Sequence, residues 1–274
     1  MPLNFDPGYT SDPFLTLCDQ APDVTVFPFS AFRTEWGPVF HRGRLDGSAR
    51  LLAIGQDPAE HETISRRILV GTAGHRVQGF LAKLGLTRSY VMVNTFLYSV
   101  YGQTGGNQHI GDPKITAYRN QWISAILSNS TIQGVVAFGS LADKAWKAFL
   151  AVPANAASKH LPYQHVPHPT SPESAGGTPA QIASATEAML QSWNTAIQAL
   201  RTSITHPDSS AAFVPYGAAF QPQELPPIPA FDLPAGSPAW MQGASGWATR
   251  TGTTAALKRR TITVEVPDGV IPAN

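Results

Sequence analysis

The chain has 274 residues, of which 43% are apolar, enough to build a substantial core as one large domain or one domain with long extensions. Its formal charge of +1, from 19 basic and 18 acidic side chains, excludes a histone-like polycation or a chain that binds polyanions through bulk charge. The single cysteine, Cys18, excludes an internal disulfide, a four-cysteine zinc site and a cysteine-ligated iron–sulfur cluster. We therefore expect no metal and no cofactor.

The first residues contain no basic start followed by an apolar run, and no stretch reaches about 18 apolar residues. These features predict a soluble, cytoplasmic protein without a membrane partner, and we expect a monomer.

Three zones of different composition follow one another along the chain. Residues 1–48 are irregular, with aromatic residues that can pack this extension on a core. Residues 49–204 alternate short apolar runs with amphipathic stretches, a pattern typical of βα units. Residues 205–274 are rich in Pro and Gly. A tail wrapped on the core is the first interpretation of this last zone, and disorder is the second.

The middle zone predicts an α/β fold, with a three-layer α/β/α arrangement around a central, mostly parallel four-stranded sheet. The predicted strands cover residues 50–55, 90–95, 134–139 and 163–166. Apolar residues at helical spacing predict helices over 77–84, 115–126, 141–149 and 179–200.

Polar side chains follow three of these strands. Asp57 comes after the first strand, Asn94 ends the second, and His168 follows the fourth. In open α/β sheets ligands bind outside the carboxyl ends of the strands, so the three side chains can converge on one ligand. Each also has a simpler interpretation: Asp57 before Pro58 as a turn or cap residue, Asn94 as a turn residue, and His168 as an exposed loop histidine.

Four ordered motifs resemble those of the uracil-DNA glycosylase superfamily. They are GQDP at 55–58, VNT at 93–95, FGS at 138–140 and HPTSP at 168–172. The resemblance covers about residues 50–201 and implies the α/β fold predicted above.

The resemblance combines features of several branches. GQDP is similar to the water-activating motif of family 1, as is the glycine-rich, His-containing loop at 98–116. The segment LVGTAGHRVQGFLAKLGL at 69–86 looks more like the iron–sulfur families 4 and 5. EWGPVFHRGRLDG at 35–47, ahead of GQDPA, resembles a cluster-free bacterial group.

The resemblance implies two catalytic residues. Cleavage of the N-glycosidic bond builds positive charge on the sugar and negative charge on the departing base. Asp57 would stabilise the sugar cation and activate water, and His168 would donate a hydrogen bond to uracil O2.

The resemblance also implies four substrate-binding positions. Asn94 would pair with uracil N3–H and O4, and Gln56 would contribute backbone N–H. Ala59 stands where family 1 has the tyrosine that excludes the thymine methyl group, so thymine exclusion cannot be assigned to this position. Leu69 stands where families 4 and 5 have a stacking phenylalanine; Leu69, Phe96 or Tyr98 remain candidates to pack on the base.

Contacts with DNA are predicted along a modest basic edge. Residues 31–90 hold nine basic and five acidic side chains, and ordinary charge scatter on a solvated surface is the alternative interpretation. LKRR at 257–260 is a second candidate contact. The intercalating leucine that follows the HPSP motif in the family is absent from HPTSPES at 168–174, and Glu173 stands in its region. The candidate DNA contacts are Arg66, Arg67, His75, Arg76, His109, Ser140, Thr170 and Ser171.

The sequence thus predicts a monofunctional uracil-DNA glycosylase of base excision repair, which flips uridine out of single- or double-stranded DNA. The alternative is a uracil-DNA-binding protein that captures the sugar covalently through a loop histidine, here His109, although the KRR that precedes this histidine in the family is missing. An unrelated α/β hydrolase lacks support because the chain has no G-x-S-x-G motif.

Overall fold

A computed structural model describes residues 10–243 and 246–271. The helices in these ranges are α1 (Phe14–Asp19), α2 (Glu60–Ser65), α3 (Thr72–Lys83), α4 (Gly102–His109), α5 (Pro113–Asn129), α6 (Ser140–Ala151), α7 (Ser171–Ala175), α8 (Pro179–Arg201), α9 (Trp240–Gly243) and α10 (Ala255–Arg260). The strands are β1 (Phe32–Arg33), β2 (His41–Gly43), β3 (Leu51–Gly55), β4 (Tyr90–Asn94), β5 (Ser99–Val100), β6 (Gly134–Phe138), β7 (Tyr163–Val166), β8 (Ala248–Arg250) and β9 (Ile262–Val264).

The central sheet has five strands, in the order β2-β4-β3-β6-β7. The four predicted strands are confirmed as β3, β4, β6 and β7, and they run parallel. The predicted number of four strands is wrong because β2 pairs antiparallel with β4 and adds an edge. This strand has only three residues, two of them the polar His41 and Arg42, so no apolar run marks it.

The core lies on both faces of this sheet. Successive side chains of a strand point to opposite faces, so Leu51 and Ala53 pack on one side while Leu52 and Ile54 pack on the other. Helices α3 and α8 cover the first face, and α5 and α6 cover the second. Because each face is covered by helices, the fold has three layers, and the parallel strands β3, β4 and β6 are fully buried.

The longest helix, α8, begins at a capping box. The Thr178 side chain accepts a hydrogen bond from the Gln181 backbone N–H at 3.3 Å, and the Gln181 side chain accepts from the Thr178 N–H at 2.8 Å. The helix then buries Trp193, Ile197 and Leu200 along one stripe against the sheet.

The C-terminal extension is anchored to the core by a buried carboxylate. Asp232 accepts from Arg42 Nε at 2.8 Å, from Arg44 Nη2 at 3.0 Å and from the Tyr90 hydroxyl at 2.7 Å. Both Arg42 and Asp232 are fully buried. Farther back along the chain, Asp208 accepts the three successive backbone N–H groups of residues 87–89. This part of the chain therefore packs against the core rather than extending away from it.

None of the helices within residues 10–243 and 246–271 combines the length and apolarity needed to cross a membrane. These two ranges also contain no group of three or more His, Cys, Asp or Glu side chains placed to hold a metal ion.

Candidate active site

A cavity of about 530 Å³ lies at the carboxyl ends of the central strands. Its size is in the range typical of pockets that hold a small molecule. Several polar residues that follow β3, β6 and β7 line it, namely Gln56, Asp57, Ser140, His168, Thr170 and Ser171. The sequence motifs after three separate strands therefore meet at one place.

Asp57 lies at the wall of this cavity in the turn after β3. Its Oδ2 accepts a hydrogen bond from the Val100 backbone N–H at 2.9 Å. Burial raises the pKa of the Asp57 carboxyl to about 7, and the Val100 N–H and the guanidinium groups of Arg33 and Arg250 partly oppose that rise. A carboxyl group with such a pKa can both hold and release a proton near neutral pH.

The turn that carries Asp57 is held by a buried glutamate. Glu62 Oε2 accepts from the Ala59 backbone N–H at 3.0 Å, and Glu62 Oε1 accepts from the Val70 backbone N–H at 3.1 Å. One carboxylate thus joins the GQDPA turn to the segment that contains Leu69. Ala59 itself is exposed at the cavity, immediately before α2.

His168 lines the same cavity and is oriented by its own loop. The Thr170 backbone N–H lies 3.3 Å from His168 Nδ1 and donates to it, which leaves the ring proton of the neutral histidine on Nε2. Burial, with a smaller effect of Arg76, lowers the pKa of His168 to about 4. The ring is therefore neutral at physiological pH and can donate one hydrogen bond.

Gly139 brings two of these motifs together. Its φ of +94° is in a region that favours glycine. A Cβ at this position would lie 3.0 Å from Gln56 Oε1 and 3.1 Å from His168 Cβ. The glycine therefore lets the turns after β3 and β7 approach each other closely.

Asn94 and Leu69 do not line the cavity, although they lie together beside Gly55. A Cβ added to Gly55 would collide with Asn94 Oδ1 and would lie 3.6 Å from Leu69 Cδ1. Asn94 Oδ1 is buried and accepts no hydrogen bond from the described residues. Leu69 has a φ of 54°, which is rare for a non-glycine residue. The two alternative stacking candidates, Phe96 and Tyr98, are buried in an aromatic cluster with Phe27 and Phe32, outside the cavity lining.

Arg76 is bound to the loop that contains His168. It donates to the Pro169 carbonyl at 2.6 Å and to both carboxylate oxygens of Glu173 at 3.0 and 2.6 Å. Glu173 and Arg76 thus hold this loop in place, where the sequence predicted a phosphate contact for Arg76.

Four other predicted DNA contacts also lie outside the cavity lining. His75 and Arg67 are each only 4% exposed, and His75 Nδ1 lies 2.9 Å from the Pro226 carbonyl of the C-terminal extension. Their burial does not match a direct contact with phosphate. Arg66 is exposed and donates to the Trp36 carbonyl at 2.7 Å. His109 contacts Asp112 through Nδ1 at 2.7 Å.

A family model described as Uracil DNA glycosylase superfamily matches residues 42–203. The chain belongs to this superfamily. The match extends from β2 to just past the end of α8, and it includes both Asp57 and His168. No curated protein matched the chain.

The superfamily domain does not supply the whole cavity wall, because Arg33 and Arg250 lie outside the matched residues and both line it. Arg33 is placed by the pairing of β1 with β5, and it donates to Ser99 Oγ at 2.9 Å and to the Val100 carbonyl at 2.6 Å. Arg250 lies in the β8–β9 hairpin, with its Nε 3.3 Å from Glu60 Oε2. Sequence analysis missed both residues, since single arginines in irregular segments carry no pattern.

The excess of basic residues in and around the superfamily domain is partly neutralised from the C-terminal extension. Asp232 binds Arg42 and Arg44, and Glu224 binds Lys83 at 2.7 Å. Fewer basic side chains of the predicted edge are therefore available to bind phosphate.

Proposed function

We propose that this superfamily member is a monofunctional uracil-DNA glycosylase, which hydrolyses the N-glycosidic bond of a deoxyuridine flipped out of DNA. The observation that carries the proposal is that Asp57 and His168 line one cavity of about 530 Å³, each with the protonation behaviour that the reaction needs. Base flipping costs a few kcal/mol, which contacts within the cavity would offset.

In the proposed reaction the C1′–N1 bond breaks, and its electron pair leaves with uracil. The sugar gains oxocarbenium character, which the Asp57 carboxylate stabilises. Water then adds to C1′ and loses a proton to Asp57. The products are free uracil and an abasic site, so no covalent enzyme intermediate is needed.

His168 would hold the departing uracil anion through Nε2–H. The hydrogen bond from Thr170 to Nδ1 supports this assignment, because it leaves Nε2 as the donor. A neutral ring is sufficient, and the lowered pKa ensures that the ring stays neutral. A preorganised donor of this kind is typically worth about 3 to 4 kcal/mol.

Asn94 does not line the cavity, but it lies beside Gly55, which directly precedes Gln56 of the cavity wall, and from there it would read the base. Its Oδ1 accepts no hydrogen bond from the described residues, although buried polar atoms normally have a partner. Uracil N3–H would supply the missing donor, whereas the corresponding nitrogen of cytosine has no hydrogen. Gln56 would present backbone to the base at the cavity wall. Leu69, beside Asn94, would provide an apolar surface, and discrimination against thymine would not depend on Ala59.

The DNA strand would approach along the rim of this cavity. Ser140, Thr170 and Ser171 line the cavity and would contact the flipped nucleotide.

We propose that the chain is divided into an extension at 1–48, a catalytic region at 49–204 and an extension at 205–274. The first extension contributes β2 to the central sheet. The cytoplasmic location and the monomeric state stay predictions.

The proposal is tested by release of free base from oligonucleotides that contain uracil, thymine or hypoxanthine at one position. We expect release of uracil and an alkali-labile abasic site. Absence of uracil release from both single strands and duplexes would contradict the proposal. An adduct that survives denaturing electrophoresis would instead support covalent capture, for which His109 is the candidate although it lies outside the cavity lining.

A further inference from the structure

A second cavity of about 650 Å³ lies between the N-terminal extension and the C-terminal extension. We call it the flanking groove. One wall comes from the N-terminal extension and the other from α10, with the ring of Tyr101 between them. Its principal lining residues are Phe29, Glu35, Trp36, Tyr101, Arg259 and Arg260.

Arg33 separates the flanking groove from the catalytic cavity. Its guanidinium carbon lies 4.3 Å from the centre of the Tyr101 ring and 5.0 Å from that of Trp36, both in the groove. The same guanidinium donates to Ser99 Oγ, at the wall of the catalytic cavity. A polymer that occupies the catalytic cavity therefore has the flanking groove one side chain away.

The groove presents aromatic surface to solvent. Phe29 is 63% exposed, a large fraction for a phenylalanine in a folded protein. Arg259 stacks on Tyr101 with its guanidinium carbon 3.5 Å from the ring centre, and it donates to the Phe29 carbonyl at 3.1 Å. Phe29 and Tyr101 are thus held beside a cation rather than packed into the core, whereas Trp36 is buried.

The charge of the groove suits a polyanion. Lys258 and Arg260 are exposed on α10, next to Arg259. The acidic residue of the lining, Glu35, accepts a hydrogen bond from the Tyr101 hydroxyl at 3.0 Å. Aromatic faces that stack on bases, combined with cations that follow the backbone, are the elements of sites for single-stranded nucleic acid.

We propose that the flanking groove binds the single-stranded DNA adjacent to the flipped uridine, with an unpaired base stacked on Phe29 and backbone phosphate beside Arg260. Duplex bases are already paired and stacked, so they cannot stack on Phe29 without strand opening. The groove therefore gives the protein a preference for single-stranded DNA. The position of the uridine rests on the proposed function, whereas binding of single-stranded DNA by the groove does not.

The test measures binding of the full chain to a labelled, uracil-free single-stranded 15-mer, and to the same sequence as a duplex, by fluorescence anisotropy. Phe29→Ala and Arg260→Ala should each raise the Kd for the single strand about fivefold or more, with a much smaller effect on the duplex. Arg260→Ala should also reduce the dependence of log Kd on log salt by about 0.7. Arg88→Ala is the matched control, because Arg88 is exposed near the opposite, amino end of β4.

Unchanged single-strand binding in a folded Phe29→Ala variant would overturn the proposal. Weaker single-strand binding in Arg260→Ala alone, with normal binding in Phe29→Ala, would also overturn the proposal, because the groove would then be only a patch of positive charge. Uracil release from the same strands distinguishes the two proposals. If the wild type binds single strands through Phe29 but releases no uracil, the proposed function fails while the groove stands. If uracil is released and the Phe29→Ala variant binds single strands normally, the groove proposal is contradicted while the proposed function stands.

Discussion

The Thr170 backbone N–H lies 3.3 Å from His168 Nδ1 and thereby fixes the tautomer of the histidine. The donor is a main-chain group two residues farther along the same loop, and Arg76 holds this loop through the Pro169 carbonyl and Glu173. A local hydrogen bond therefore decides which ring nitrogen carries the proton, and burial keeps the ring neutral.

Replacement of His168 should remove the support for the leaving base. We expect His168→Ala to lower the single-turnover rate of uracil release by about 10²- to 10³-fold, the usual cost of one preorganised donor. His160→Ala is the matched control, since His160 is exposed and lies outside the cavity lining. A wild-type rate in folded His168→Ala would refute the assigned role.

The rate of uracil release should depend on pH through Asp57. The carboxylate form is the active one, and its pKa is raised to about 7 by burial, so the rate should fall about tenfold per pH unit below that value. His168, with a pKa of about 4, should add no further change between pH 5 and 8. Single-turnover rates across this range test the prediction, and a flat profile would contradict it.

The same pKa predicts a pH-dependent effect of Asp57→Asn on stability. The folded-state pKa lies above the unfolded value of about 3.9, so the group favours folding at low pH and loses that contribution as the pH rises to 7. Asp57→Asn should therefore melt at a higher temperature than wild type at pH 8, with a difference that shrinks toward pH 4. Thermal unfolding of Asp57→Asn and of the exposed control Asp268→Asn gives the comparison. An equal difference at both pH values would count against the raised pKa.

Base selection should change when the donor and acceptor pattern of Asn94 changes. Asn94→Asp should relax discrimination and allow measurable release of cytosine, because a protonated aspartic acid can donate where cytosine accepts. Asn94→Ala, which has neither group, should lose uracil release without gaining cytosine release. Rates on matched uracil and cytosine oligonucleotides are the measurement. Unchanged specificity in Asn94→Asp would place base reading elsewhere.

Removal of the Asp232 carboxylate should destabilise the fold and loosen the C-terminal extension. Asp232→Ala leaves the buried Arg42 without its charged partner, a change that typically costs about 3 to 5 kcal/mol. The free energy of unfolding from urea titration measures this cost, with exposed Asp268→Ala as the control. A loss below about 1 kcal/mol would contradict the prediction.

Three of the four predicted strands, β3, β4 and β6, could be read from the sequence because each is a continuous apolar run, whose burial is a local property of composition. The sequence also predicted that Asp57 and His168 lie at the same edge of the sheet, since parallel strands place their carboxyl ends together. Strand β2 could not be predicted, because three residues containing His41 and Arg42 become a strand only by pairing with β4.

The sequence by itself determined the sheet's buried strands, the order of the motifs and the superfamily. The tertiary structure decided which cations remain available to DNA. Arg42 is neutralised by Asp232, 190 residues away, while Arg33 and Arg250 come from the two extensions to line the cavity that contains Asp57 and His168. The physical reason is that the buried charge of Arg42 is stabilised by an opposite charge, and long-range packing rather than proximity in sequence places Asp232 beside it.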